Sequence, residues 1–312
     1  MKITFFNDWR LGVLKGADRI VDVSAVVSRI APTAPHDVIN AVIADWDGFK
    51  GPIGDLVARE AGVPLSSVQL RAPLPRPINV TCMAVNYMED GTRKEPAPIN
   101  TFMKSPLSII GQGETMVLPD IPATVFEGEA EIALVIGKKA TNVKAADAMS
   151  YIFGYMNFID GSARGVQPAA QSFYQMKSRD TFAPIGPWIV TADEIPDPHK
   201  LQVRLWNNGV LKQNYNTSDM AHKIPRCVEF VSSIHSLEPG DVIPTGTNHR
   251  GLNAFMDGDT VELEVEGCGC LSIKVRDDLK RTWSRETRLD RQQKGLTPVT
   301  TPQLTGKYAV GQ

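Results

Sequence analysis

The 312 residues carry 33 Lys and Arg against 35 Asp and Glu, a formal net charge of -2, with 42% hydrophobic and 22% charged residues. That balance describes an ordinary globular chain able to bury a core, and it removes the electrostatic basis for nucleic acid or an anionic membrane as partner. No uncharged run reaches membrane-spanning length and Met1–Arg10 carries charges inside its apolar stretch, so no signal peptide, no membrane span and a cytoplasmic location are expected.

Residues 2–27 alternate like strands, with a turn at Lys15-Gly16-Ala17-Asp18, and residues 36–61 show helical apolar spacing interrupted from Gly48 to Pro52. Together they predict a small N-terminal α/β unit over 1–72. Pro73, Pro75 and Pro77 then break regular structure and mark a boundary. Beyond it, strand-like runs (Ile78–Val85, Ile132–Ile136, Trp188–Thr191, Val203–Asn207, Val261–Val265, Leu271–Val275) outnumber the helical ones, Ala145–Met149 and Cys227–His235. An α+β chain, mostly β, with its chemistry in 73–280, is the reading. From 281 to 312 the composition turns charged and then Thr/Pro-rich, which predicts a surface-wrapping or partly disordered tail. Cys82, Cys227, Cys268 and Cys270 lack the spacing of a disulfide framework or a zinc site and are expected as buried free thiols.

The run Phe126-Glu-Gly-Glu-Ala-Glu-Ile-Ala-Leu-Val-Ile-Gly137 places Glu127, Glu129 and Glu131 at alternate positions ahead of a β-branched stretch. On a strand their carboxylates project from one face, about 6–7 Å apart. Three like charges there repel unless a cation sits among them. A divalent ion is one answer, and all-oxygen donors select Mg²⁺, Mn²⁺ or Ca²⁺ over Zn²⁺. A solvated edge face with Lys138 and Lys139 as counter-charges is the other. Asp160, at the end of the aromatic run Tyr151–Ile159, is placed to join the carboxylates.

With Glu129-Ala-Glu131-Ile-Ala-Leu-Val-Ile-Gly-Lys, Asp160-Gly-Ser-Ala-Arg164 and Lys177-Ser-Arg-Asp-Thr-Phe-Ala-Pro-Ile-Gly-Pro187 in this order, residues 70–275 resemble the fumarylacetoacetate hydrolase family. Asn86-Tyr87, Phe102-Met-Lys-Ser-Pro106, Asn216-Thr-Ser-Asp-Met220 and Thr245-Gly-Thr247 add to the match. The resemblance implies that family's mixed β-sandwich roll, a homodimer, and one divalent ion, usually Mg²⁺, on Glu129, Glu131 and Asp160. It places Glu127 beside the ligands as an orienting carboxylate and Thr181 near the ion. Lys177 becomes the active-site lysine, and Gln167, Thr247 and Tyr87 become substrate contacts. The activity implied is metal-dependent hydrolysis of a C–C bond in a β-dicarbonyl or acylpyruvate-like acid, in a catabolic pathway. Hydration, isomerisation or decarboxylation of a 2-oxo acid is the alternative, and a non-catalytic metal-binding protein a third.

Two departures stand out. The water-activating pattern Asn-Tyr-x-x-His-x-x-Glu of many hydrolytic relatives has Asp90 in place of the histidine and Arg93 in place of the glutamate. The loop after Gly246-Thr247 reads Asn-His249-Arg250-Gly, which puts an imidazole and a guanidinium into the substrate loop. The base is then His249 or one of the loop carboxylates Glu89, Asp90 and Glu95, and Arg250 is a candidate clamp for a substrate carboxylate. His36, His199, His222 and His235 are read as structural.

Overall fold

The computed structural model describes residues 1–168, 173–298 and 301–309. At its centre lie two long antiparallel strands, Val125–Ile136 and Ile152–Arg164, joined in a 12-stranded sheet. Ala183–Thr191 continues the sheet on one side, and Val242–Pro244, Val80–Ala84 and Asn100–Lys104 on the other. A 5-stranded sheet shares one core with this sheet, and helices Pro35–Ala44 and Trp46–Arg59 share a second. The α+β, mostly β architecture is the one expected.

The strand Val125–Ile136 shows how the layers place chemistry. Its even positions Phe126, Ala130, Ile132, Leu134 and Ile136 join the core between the sheets, while Ala133 and Val135 join the helix-side core. Strand alternation therefore puts Glu127, Glu129 and Glu131 on the face that continues into the helix-side core. All twelve residues are buried, which rules out a solvated edge face. Gly128 packs so tightly that a Cβ would collide with the Phe255 ring.

The N-terminal strand Lys2–Phe6 pairs with Ala183–Thr191 (Lys2 opposite Val190, Ile3 opposite Ile189), so residues 1–72 share one sheet and one core with the chain beyond the proline run. The helical break falls at Asp45 (φ -117°, ψ 42°), earlier than Gly48–Pro52. Pro52 forfeits one backbone hydrogen bond, but burial of Phe49 and Ile53 holds the helix through it. Ala145–Met149 is not a helix; only a short 3-10 turn forms at Ala148–Tyr151, because the segment between two strands is too brief to offset helix nucleation. Cys82, Cys227 and Cys268 are buried thiols as expected, whereas Cys270 is exposed where the turn re-enters a strand.

The C-terminal segment is anchored. Trp283 is buried edge-on to Phe126 at 5.9 Å, and its Nε1 donates to the Thr124 carbonyl at 2.7 Å. Arg281 is fully buried in an ion pair with Asp277, and Arg285 forks onto Asp259 at 2.6 Å through both Nη atoms. A tail composition suggests disorder when its charges are counted alone; here those charges pair with acids elsewhere in the chain. Residues 299, 300 and 310–312 of that stretch lie outside the described residues. Among the described residues, no helix is long and apolar enough to cross a membrane.

Candidate metal centre and the cavity beside it

The strand register brings the carboxylates together. Glu129 pairs directly with Asp160 across the ladder, so their side chains leave the sheet on the same face, with Glu131 two residues further along. Oxygens of Glu129, Glu131 and Asp160 all lie within 4.8 Å of one another, and all three residues are buried.

Basic groups surround this row. Lys104 Nζ donates to Asp160 Oδ1 at 2.6 Å and Lys177 Nζ to Asp160 Oδ2 at 2.5 Å. Lys177 also sits 2.9 Å from Glu129, and Arg164 pairs with both Glu129 and Glu127. Arg288 completes the set, 2.6 Å from Glu127. Lys138 and Lys139, by contrast, make their contacts elsewhere, with Tyr151 and Glu238. Burial alone would push the Glu127 and Glu129 carboxyls up. For Glu129 that push is outweighed by Lys177 and Arg164, which bring it well below its ordinary value. For Glu127, Arg288 and Arg164 do the same.

Glu131 is different. Burial, with Asp160 and Glu129 close by, drives its pKa well above the ordinary range. One of its oxygens accepts from the Gly246 N–H at 2.7 Å; the other, Oε1, is buried without a hydrogen-bond partner among the described residues. An orphaned buried carboxylate oxygen costs free energy that a cation would recover. The donor set is therefore fitted to a hard divalent ion. Glu127 is not in it, because Arg164 and Arg288 hold both its oxygens.

The two sequence departures meet each other. His249 Nδ1 lies 2.6 Å from Glu89 Oε1, and the His249 backbone N–H donates to Glu89 Oε2 at 2.8 Å. Next to them Arg250 pairs with Asp90 at 3.0 Å. The loop pays for this closure in backbone strain: Val85 (φ 52°), Glu89 (56°) and Asp90 (54°) all occupy the left-handed region. Such positions cost on the order of 1–3 kcal/mol each and persist where surrounding contacts hold them. A cavity of about 330 Å³ opens at this junction, lined by Glu89, Arg93, His249, Arg250 and Arg288 among others. One lining residue and the loop that carries another connect the cavity to the carboxylates. Arg288 touches Glu127, and the Gly246 N–H, three residues before His249, touches Glu131.

The other expected residues divide between support and surface. Thr247 is buried, hydrogen-bonded to Gln213 (2.8 Å) and Tyr215 (3.3 Å). Thr181, at φ 67°, uses its hydroxyl to accept from the Val117 N–H, which commits it to supporting backbone. Tyr87 is fully buried, edge-on to Tyr215 at 5.0 Å, and so packs in the core without a surface for a substrate. Gln167 is exposed beyond the Asp160 strand. Glu95 is exposed and does not line the cavity, and Asp90 is held by Arg250. Three residues of the site carry no role in the sequence reading. Arg164 closes the Asp160–Arg164 motif. Lys104 lies inside the Phe102–Pro106 motif, and Arg288 lies in the segment expected as a tail.

Residues 79–276 match the family model described as fumarylacetoacetate (FAA) hydrolase C-terminal. The chain is 34% identical over 293 residues to the maleylpyruvate hydrolase of Aquipseudomonas alcaligenes, covering 88% of this chain and 99% of that protein. It is 31% identical over 294 residues to the oxaloacetate tautomerase YisK of Bacillus subtilis (strain 168), covering 86% and 97%. In structure it is similar to the maleylpyruvate hydrolase of Sphingobium sp. SYK-6 in complex with manganese (II) ion and pyruvate, with TM-score 0.80, 32% identity, and 89% and 99% of the two chains covered.

Proposed function

The chain belongs to the fumarylacetoacetate hydrolase family, and from that premise we propose that it hydrolyses a C–C bond in an acylpyruvate-like oxo acid. It is an enzyme of the metal-dependent hydrolase and isomerase type. The observation that carries the proposal is the buried Glu129–Glu131–Asp160 group with its unpartnered Glu131 oxygen. Those three residues would hold the ion. Mg²⁺ is the ion the family resemblance implies, and the all-oxygen donor set also admits Mn²⁺ or Ca²⁺. The manganese in the similar maleylpyruvate hydrolase supports a divalent ion of this kind. When bound, such an ion supplies Lewis-acid polarisation of a carbonyl.

The chain's own groups do the rest. Lys177, oriented by Asp160 and Glu129, presents an ammonium to oxygen that gains negative charge as the bond breaks. With Nδ1 donating to Glu89, His249 keeps Nε2 free to take a proton from water. This dyad stands in for the missing loop histidine and glutamate. Glu127, fixed by two arginines, holds Arg164 against Glu129 and so orients that ligand. Gln167, Thr247 and Arg250 remain proposed substrate contacts.

A second reading, isomerisation or tautomerisation of a 2-oxo acid, is favoured by the absent Asn-Tyr-x-x-His-x-x-Glu pattern and by the similarity to an oxaloacetate tautomerase. Product analysis separates the two: hydrolysis releases two fragments, whereas isomerisation leaves the mass unchanged. A homodimer and a cytoplasmic setting complete the proposal. A monomer in light scattering would remove the first.

A further inference from the structure

The strand Val125–Ile136 is paired along its whole length on one edge, by Ile152–Arg164. On its other edge Val242–Pro244 reaches only Ala133, Leu134 and Val135. Ala130, between the carboxylates Glu129 and Glu131, lies beyond that short strand, and its backbone groups are met by side chains instead. Gln213 Oε1 accepts from the Ala130 N–H at 3.0 Å, and the Tyr215 hydroxyl donates to the Ala130 carbonyl. Both side chains come from the strand Val210–Asn216 of the 5-stranded sheet, where alternation turns positions 213 and 215 inward.

Gln213 has a second set of partners in the loop that carries His249. Its Nε2 donates to Thr247 Oγ1 at 2.8 Å and to the Asn248 carbonyl at 2.9 Å. The loop is seated on the same strand, since a Cβ at Gly251 would collide with the Lys212 carbonyl and with Gln213 Cα. The amide cannot turn over. An N–H only donates and a carbonyl only accepts, so Ala130 demands the oxygen of Gln213 and Asn248 demands its nitrogen. Thr247 Oγ1 is therefore an acceptor from Gln213, and its own proton must go elsewhere. Tyr215 has already given its proton to Ala130. The Thr247 proton is left with two distant acceptors, the Tyr215 oxygen at 3.3 Å and the Asn248 carbonyl at 3.4 Å. An O–H···O bond prefers about 2.7–2.8 Å, so a closer acceptor takes that proton over.

We propose that Gln213 is a positioning residue for the oxo acid: it ties the loop to the backbone between two carboxylates of the row and fixes Thr247 as a hydrogen-bond donor to a substrate oxygen. Gln213 touches no substrate and acts through Thr247. The substrate contact at Thr247 belongs to the proposed function, and the inference rests on that reading.

The probe is pyruvate, a simple 2-oxo acid, titrated calorimetrically into the Mn²⁺-supplemented wild type, Gln213→Met, Thr247→Val and the double variant. Each single change should weaken pyruvate binding by about 10-fold, the range for one hydrogen bond, while Mn²⁺ affinity without pyruvate stays that of wild type. The double variant should bind pyruvate no worse than either single, because one residue acts through the other. Gln213→Glu, measured above neutral pH, keeps the acceptor for Ala130 without the donor for Thr247; it should show the same loss, and it serves where the methionine variant does not fold. Wild-type pyruvate affinity in the Gln213 variants would overturn the proposal, as would losses that add in the double variant. So would a fall in Mn²⁺ affinity equal to the fall for pyruvate, which is what simple bracing of Ala130 predicts. Wild type that binds no pyruvate contradicts the oxo-acid reading itself, whereas pyruvate binding that ignores Gln213 contradicts the positioning role alone.

Discussion

The strand pair that carries Glu129, Glu131 and Asp160 and the loops that carry Glu89, His249 and Arg250 face one site but are made of different material. Both strands are buried along almost their whole length and locked by twelve ladder positions, so the carboxylates have no freedom to separate. The loops are held by a few polar bridges and by left-handed backbone at Val85, Glu89 and Asp90. Rigid strands suit a step that every member of a family shares, whereas loops can change side chains without disturbing the core. In the sequence reading both departures from the resembled pattern fall in the loops, and the strand motifs keep to it.

The largest expected effect breaks the strand half. Glu131→Gln keeps the shape but removes a ligand charge, and turnover should fall to background in a metal-supplemented assay; retained turnover would show that the row holds no catalytic ion. Next comes the loop dyad. His249→Ala and Glu89→Gln should each lower turnover by about 10²–10⁴-fold, the usual contribution of a positioned base. Because the two act as one unit, the double variant should be scarcely worse than the singles. Additive losses would separate them. Lys177→Met should cost about 10²–10³-fold in kcat, as for loss of one oxyanion donor, while Mn²⁺ binds at least as well as before, since the lysine competes for Glu129 and Asp160. Outside the chemistry, Trp283→Ala should destabilise the fold by about 3–5 kcal/mol in denaturant titration, the range for truncating a buried aromatic; a change near zero would mean that the C-terminal segment does not dock. Smallest of all, Glu95→Gln should leave turnover within a few-fold, because the side chain lies away from the cavity.

The same contrast explains what was legible in the sequence. Alternation at Glu127, Glu129 and Glu131 sets a shared face, and β-branched neighbours imply burial, because strand geometry is local. That Asp160 joins Glu129 and Glu131 is what the family motif implies; that it stands opposite Glu129 depends on how two distant segments pair. The closing of Glu89 onto His249, 160 residues apart, leaves no periodic trace, and the sequence leaves His249 and the loop carboxylates as rivals where the structure joins two of them. Arg288 was hidden for a related reason. A charged, polar stretch resembles a free tail until its partners Glu127 and Asp259 are brought alongside Arg288 and Arg285. Lys104 was visible as part of a motif, but its reach to Asp160 becomes evident only once the sheet is assembled.

The division of labour between strands and loops is tested most directly by titrating Mn²⁺ calorimetrically into wild type, Glu131→Gln and His249→Ala side by side. One ion per chain should bind to wild type and to His249→Ala with the same affinity. In Glu131→Gln it should bind more weakly by more than about 100-fold, beyond the effect of losing a residue that only supports a ligand. Wild-type affinity in Glu131→Gln, or its loss in His249→Ala, would contradict the account.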